Sequence, residues 1–155
     1  MANSYTQIHL QFVFAVKHRE GLIHHSWKEE LFKYITGIVQ DKKYKHKMLA
    51  INGVADHIHL LVGFRPDQSI SDFMQDVKGS SSKWINSRNF LQGHFEWQSG
   101  YGAFSYSKSD VKKVIQYIKN QEEHHRVKFF REEYMDLLKE HEIDFDERYI
   151  FHELL

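Results

Sequence analysis

Two short apolar runs, residues 47–54 (KMLAINGV) and 57–64 (HIHLLVGF), have only Ala55 and Asp56 between them. Two such runs at that separation read as adjacent strands of a β-hairpin, and Pro66 closes the second. Residues 5–16 add a further strand, because Ile8, Leu10, Phe12, Phe14 and Val16 alternate with a face carrying Gln7, His9 and Gln11. That period of two is expected of a strand with one buried face. A fourth strand is expected at Ala103–Tyr106, after the Gly-punctuated stretch FEWQSGYG.

Helical spacing fills the intervals. Ser26 and Glu29 have capping-box separation, and Leu31, Tyr34, Ile35 and Ile38 recur at helical intervals to about Gln40. Ser69 caps a helix from about Ile70 to Asn86, with Ile70, Phe73, Met74, Val77 and Trp84 inward. Gly79 and the three serines of KGSSSKW (78–84) predict either a bend there or backbone and hydroxyls kept open for a ligand. Ser109 caps a helix from Asp110 to about His125, and a last helix near Val127 to Glu140 precedes the terminus DERYIFHELL. The order β-α-β-β-α-β-α-α predicts a ferredoxin-like α+β fold, an antiparallel sheet with helices packed on it.

A chain of 155 residues with 41% hydrophobic and 27% charged residues fits one domain over 1–155. It contains no cysteine, which removes disulfides, thiol nucleophiles and Cys-based zinc sites. With no apolar run of membrane length and no leader-like start, the expected location is the cytoplasm, with no membrane partner. Net charge is zero, but unevenly so. Residues 1–121 carry 16 Lys+Arg against 10 Asp+Glu, whereas the helical segment from about 122 onward carries 5 against 11. A mildly basic body with an acidic tail is a pattern found in polyanion-binding chains, and equally in any chain ending in a solvated acidic helix.

The sharpest local feature is Asp56-His57-Ile58-His59. Strand alternation puts His57 and His59 on one face, half of a divalent-metal site that needs at least one more protein donor. On the helix from Asp110, Tyr117, Gln121 and His124 share a face beside the apolar stripe of Val111, Val114, Ile115 and Ile118. Taken alone, Tyr117 is as well explained as a half-buried aromatic with its hydroxyl in water.

His57-Ile58-His59 with Leu60-Leu61-Val62, together with Tyr117-Ile118-x-x-Gln121, resembles the HUH single-tyrosine transposases of small bacterial insertion sequences, the TnpA type. VFAVKHREGLI (13–23), KGSSSKW (78–84), WQSGYGAFSYS (97–107) and YIKNQEEHH (117–125) resemble blocks of that family in the same order. The resemblance implies a single-stranded DNA transposase. His57, His59 and Gln121 would hold a divalent ion, Mg2+ or Mn2+, and Tyr117 would attack the scissile phosphate to give a 5′-phosphotyrosine and a free 3′-OH. It also implies hairpin DNA at the element ends as partner, a homodimer joined through sheet edges, for which the first strand or a neighbour is suitable, and no nucleotide cofactor. Asp56 and His124 are candidates for orienting the ligands. Lys17, Arg19, Lys78, Lys83 and Arg88, with Ser81 beside them, are candidates for contacting DNA. Competing readings are a domesticated or inactive hairpin-binding relative and a repeat-associated transposase acting on host palindromes. A histidine-triad hydrolase is excluded by Leu61, which stands where its next histidine would be, and a cupin-like barrel by the helices.

Overall fold

Strand β1 (His9–Ala15) pairs antiparallel with β3 (His57–Gly63) on one side and with β4 (Gly102–Tyr106) on the other. β2 (Lys47–Val54) pairs antiparallel with the outer side of β3, so the sheet order is β2-β3-β1-β4, that of the ferredoxin-like fold expected from the sequence. The computed structural model describes residues 4–127 and 129–146, without the side chains at 126 and 127; the final apolar stretch, 147–155, lies outside the described residues.

The central place of β1 corrects two expectations. It cannot be a free sheet edge for a dimer, because both its edges are taken; the outer strands are β2 and β4. Nor is only one of its faces buried. Phe12 and Phe14 enter a core with Leu31, Ile35, Phe73 and Met74 from α1 (His25–Val39) and α2 (Ile70–Ser87). Val13 and Ala15 face the opposite layer, made by α3 (Val111–Lys119), α4 (Gln121–Val127) and α5 (Phe130–Glu140). Gln11 points into that second layer and is fully buried.

Local chemistry moves several boundaries. The cap of α1 is His24, whose Nδ1 accepts from the Ser26 amide at 3.1 Å, two residues before the serine expected to cap it. Ser69 caps α2 as expected, accepting from the Asp72 amide at 3.3 Å. The helix then runs through Gly79 without interruption, and Ser81 and Ser82 return their hydroxyls to the carbonyls of Val77 (2.6 Å) and Gly79 (3.1 Å) within it.

The helix expected over 110–125 is in fact two. Ser109 sits in a 3-10 turn (Lys108–Asp110) instead of capping, and α3 ends at Asn120, whose backbone leaves the helical region. The Asn52 side chain of β2 donates to the Lys119 carbonyl at 3.0 Å, beside that break. Helix α5 then begins at Phe130, three residues later than expected.

One glycine is required by packing. A Cβ on Gly53 of β2 would run into the backbone carbonyl of His57 and come within 3.0 Å of the Ile58 Cα. A side chain there would push β2 away from the strand that carries both histidines. Among the described residues, no helix is long and apolar enough to cross a membrane.

Candidate active site

Alternation along β3 divides its side chains as the sequence predicts. Ile58 and Leu60 enter the core under α1 and α2, while His57 and His59 point into the opposite layer, where both are fully buried. Their register partners on β1 are Ala15 and Val13. Those neighbours are small or short, which leaves room for two imidazoles.

Each ring is held from its Nδ1 side. Asp56, in the tight turn before β3, places Oδ1 2.8 Å from His57 Nδ1. The carboxylate therefore accepts Nδ1–H and directs the Nε2 of His57 into the layer. Gln11 Nε2 stands 2.8 Å from His59 Nδ1, and Gln11 Oε1 accepts the Tyr106 hydroxyl at 2.8 Å. In this orientation the amide donates to Nδ1 and His59 keeps its proton on Nε2. Turning the amide over lets Oε1 accept Nδ1–H instead, which frees the Nε2 lone pair.

Tyr117 near the end of α3 and Gln121 at the start of α4 remain side by side despite the break at Asn120. Gln121 is fully buried, with Oε1 3.2 Å from His57 Nε2. Tyr117 packs against the cluster that includes Leu61 and Val114, its ring centroid 5.8 Å from that of His59. The structure thus brings together Asp56, His57, His59, Tyr117 and Gln121. His124 does not join them as an orienting group: its ring lies against Tyr117, centroids 4.5 Å apart. The next residue takes the inward place, with His125 Nε2 3.0 Å from Glu133 Oε1.

Glu133 is the member that sequence reasoning missed. It lies on α5, 4% exposed, one helical turn beyond Phe130, which stacks on His57 at 3.9 Å. Its Oε1 is 3.0 Å from His125 Nε2, 3.1 Å from His59 Nε2 and 3.3 Å from His57 Nε2. Its Oε2 accepts from Gln121 Nε2 at 3.2 Å and from the Tyr117 hydroxyl. Only a tertiary contact could reveal this, because in sequence Glu133 is one more acid in an acidic amphipathic helix.

The electrostatics follow from burial and from this carboxylate. Burial opposes ionisation of Glu133, but hydrogen bonds from His125, His57 and His59 outweigh it and hold the acid well below the usual carboxylate range. Burial also works against a charged His57, yet Asp56 and Glu133 prevail and raise its pKa. For His59 burial wins, lowering the pKa to about 4. Burial and the adjacent Glu133 charge push Tyr117 well above the ordinary phenol value, so its hydroxyl is a proton donor in this arrangement.

The donors fit a divalent ion. His57 and His125 nitrogens and a Glu133 oxygen lie within 4.8 Å of one another. Imidazole, amide and carboxylate donors together match the ligand preferences of Mn2+, with Mg2+ favoured less by the nitrogens.

The expected DNA contacts are distributed differently. Lys17, Lys78 and Lys83 line one groove between α2 and residues 94–99. Lys17 pairs with Glu96 at 2.8 Å, and Lys78 donates to the carbonyls of Gln98 and Gly100, each at 2.7 Å. Arg19 follows β1 in a 3-10 turn with φ 55°, and Arg88 ends α2, 3.1 Å from Glu30 and over the rings of Trp84 and Phe90. Ser81 is corrected outright: it is fully buried, bonded to Val77 and accepting the Trp97 indole N–H at 2.9 Å. It has no surface to offer DNA.

A family model described as IS200-like transposase matches residues 4–121. The chain belongs to that family. Among its relatives is the ISDra2 transposase TnpA of Deinococcus radiodurans, 23% identical over 122 residues that cover 74% of this chain and 84% of that one. A crystal structure of a Deinococcus radiodurans chain assigned as a transposase shares the fold, with a TM-score of 0.62 at 22% identity over 78% of this chain and 95% of that one. A REP-associated tyrosine transposase bound to a REP hairpin shares it too, with a TM-score of 0.57 at 14% identity, covering 77% and 70% respectively. The match to the IS200-like family ends at Gln121, so His125 and all of α5 lie beyond it.

Proposed function

We propose that this IS200-like transposase is a metal-dependent endonuclease and strand transferase on single-stranded DNA, with Tyr117 as its nucleophile. The observation that carries the reading is the meeting of Tyr117, His57, His59 and Gln121, from three separate elements, around one carboxylate. A tyrosine of ordinary packing has no reason to share a buried acid with two histidines and an amide.

The roles divide by chemistry. His57, His59 and Gln121 hold Mg2+ or Mn2+, and Asp56 fixes the His57 tautomer. When bound, the ion supplies positive charge against the oxygens of the scissile phosphate. Tyr117 loses its phenolic proton as its oxygen bonds to phosphorus, and the bond from phosphorus to the 3′ oxygen breaks. The leaving oxygen takes up a proton as a 3′-OH, and the strand stays attached as a 5′-phosphotyrosine. Attack of another 3′-OH on that ester reverses the step and releases Tyr117, which accounts for rejoining without a nucleotide cofactor. Tyr117 lies beside His59 of its own chain, ring centroids 5.8 Å apart.

The partner in this reading is hairpin-bearing single-stranded DNA at the element ends. Lys17, Lys78 and Lys83 form one part of its footprint, and Arg19 and Arg88 lie outside that groove. Two copies pair through an outer strand, β2 or β4. The test is cleavage of labelled strands from the flanks of the gene and of host palindromes, each single- and double-stranded, with and without Mn2+. Metal-dependent cutting confined to single strands supports the reading, and His57→Ala abolishes it. Cutting of duplex DNA, or cutting that survives chelation, contradicts it.

A further inference from the structure

We propose that Glu133 and His125 are ligands of the same divalent ion as His57, His59 and Gln121, so that the segment after the family match is a built part of this chain's metal centre. The inference rests on the reading of His57, His59 and Gln121 given above and extends it to residues that neither the family match nor the HUH resemblance assigns.

Donor atoms in neighbouring positions on an octahedral ion, each about 2.1 Å from it, stand about 3 Å apart. Glu133 Oε1 is 3.0 Å from His125 Nε2, 3.1 Å from His59 Nε2 and 3.3 Å from His57 Nε2, and His57 Nε2 is 3.2 Å from Gln121 Oε1. Four donor pairs thus share the separation that ligands of one ion adopt.

Asp56 accepts from His57 Nδ1, so in the neutral ring Nε2 carries a lone pair. That lone pair faces two further acceptors, Gln121 Oε1 and Glu133 Oε1. Three acceptors pointing at one another need a positive charge among them. A divalent ion placed among them takes all three as ligands.

Glu133 is almost wholly buried, and its partners among the described residues are His57, His59, His125, Gln121 and Tyr117, with no lysine or arginine. Burying a carboxylate with no lysine or arginine beside it is costly, and a divalent ion among its partners offsets that cost. Helix α5 nevertheless presents Glu133 here, and Phe130, one turn earlier, is stacked on His57 to hold the helix in place.

The experiment is titration of the full-length, DNA-free protein with Mn2+ alone, followed by electron paramagnetic resonance of the free ion, for wild type, Glu133→Gln, His125→Ala and His57→Ala. Glu133→Gln keeps the shape and the capacity to meet Tyr117 while removing the charge. We expect it to weaken Mn2+ binding at least about tenfold, and His125→Ala to weaken it by a smaller factor. His125 is less buried than Glu133, 11% against 4% of the side chain exposed, so its variant still reads the proposal if Glu133→Gln does not fold. Unchanged or tighter Mn2+ binding in Glu133→Gln, with His57→Ala binding weakly, overturns this inference and leaves the His57, His59 and Gln121 reading standing. Unchanged binding in His57→Ala overturns both.

Discussion

The Tyr117 hydroxyl donates to a carboxylate oxygen of Glu133, which belongs to a different helix and lies beyond the family-matched residues. The same carboxylate receives His59 and His125 through its other oxygen, at 3.1 and 3.0 Å. The proposed nucleophile and the proposed metal ligands are therefore joined through one side chain.

Asp56 holds His57 in the tautomer that presents Nε2 to the site. Asp56→Asn keeps the shape but can donate to Nδ1, which favours a proton on Nε2. We expect Mn2+ affinity and cleavage each to fall about 10- to 100-fold with little change in thermal stability. An Asp56→Asn variant with wild-type metal affinity removes Asp56 from this role.

Ser81 links α2 to the 94–99 segment by donating to the Val77 carbonyl and accepting from Trp97. Ser81→Ala leaves the buried indole N–H without its acceptor, at a cost of about 1–3 kcal/mol in a denaturant titration. DNA affinity measured well below the unfolding midpoint stays at the wild-type value. A loss of DNA binding with unchanged stability would return Ser81 to the DNA surface, against its burial.

How much of this was legible beforehand depended on whether the deciding force was local. Strand alternation put His57 and His59 on one face, and four-residue helical spacing put Tyr117 beside Gln121, because both periods are set by the backbone itself; the roles of the four came only from the family resemblance. Even the break at Asn120 did not separate Tyr117 from Gln121. The choice between His124 and His125 was not legible, since it depends on the turn of α4 after that break, where Asn52 of β2 meets the Lys119 carbonyl. Glu133 was hidden for the same reason: its neighbours come from β3, α3 and α4. The burial of Gln11 followed from the central position of β1, which strand periodicity cannot report.

His46 gives the fold a pH dependence separate from the site. It is buried, stacked on Phe64 with centroids 4.0 Å apart, and its Nδ1 accepts the Arg65 amide at 3.0 Å. Burial lowers its pKa below the ordinary value of 6.5. As pH falls through about 6.5 the unfolded chain takes up this proton before the folded one does, so the contribution is fully present above that pH and is lost below it. Thermal unfolding between about pH 7.5 and about pH 5.5 should show a smaller loss of stability in His46→Phe than in wild type. Equal losses would assign the pH dependence to other groups.

The central claim is that Tyr117 becomes covalently attached to DNA, and the most direct measurement is denaturing electrophoresis of the protein with labelled single-stranded DNA and Mn2+, with the adduct mapped by peptide mass spectrometry. The account predicts a metal-dependent adduct on the peptide containing Tyr117, absent in Tyr117→Phe although that variant still binds the hairpin. Strand cutting by Tyr117→Phe at the wild-type rate, or an adduct mapped to another residue, would contradict it.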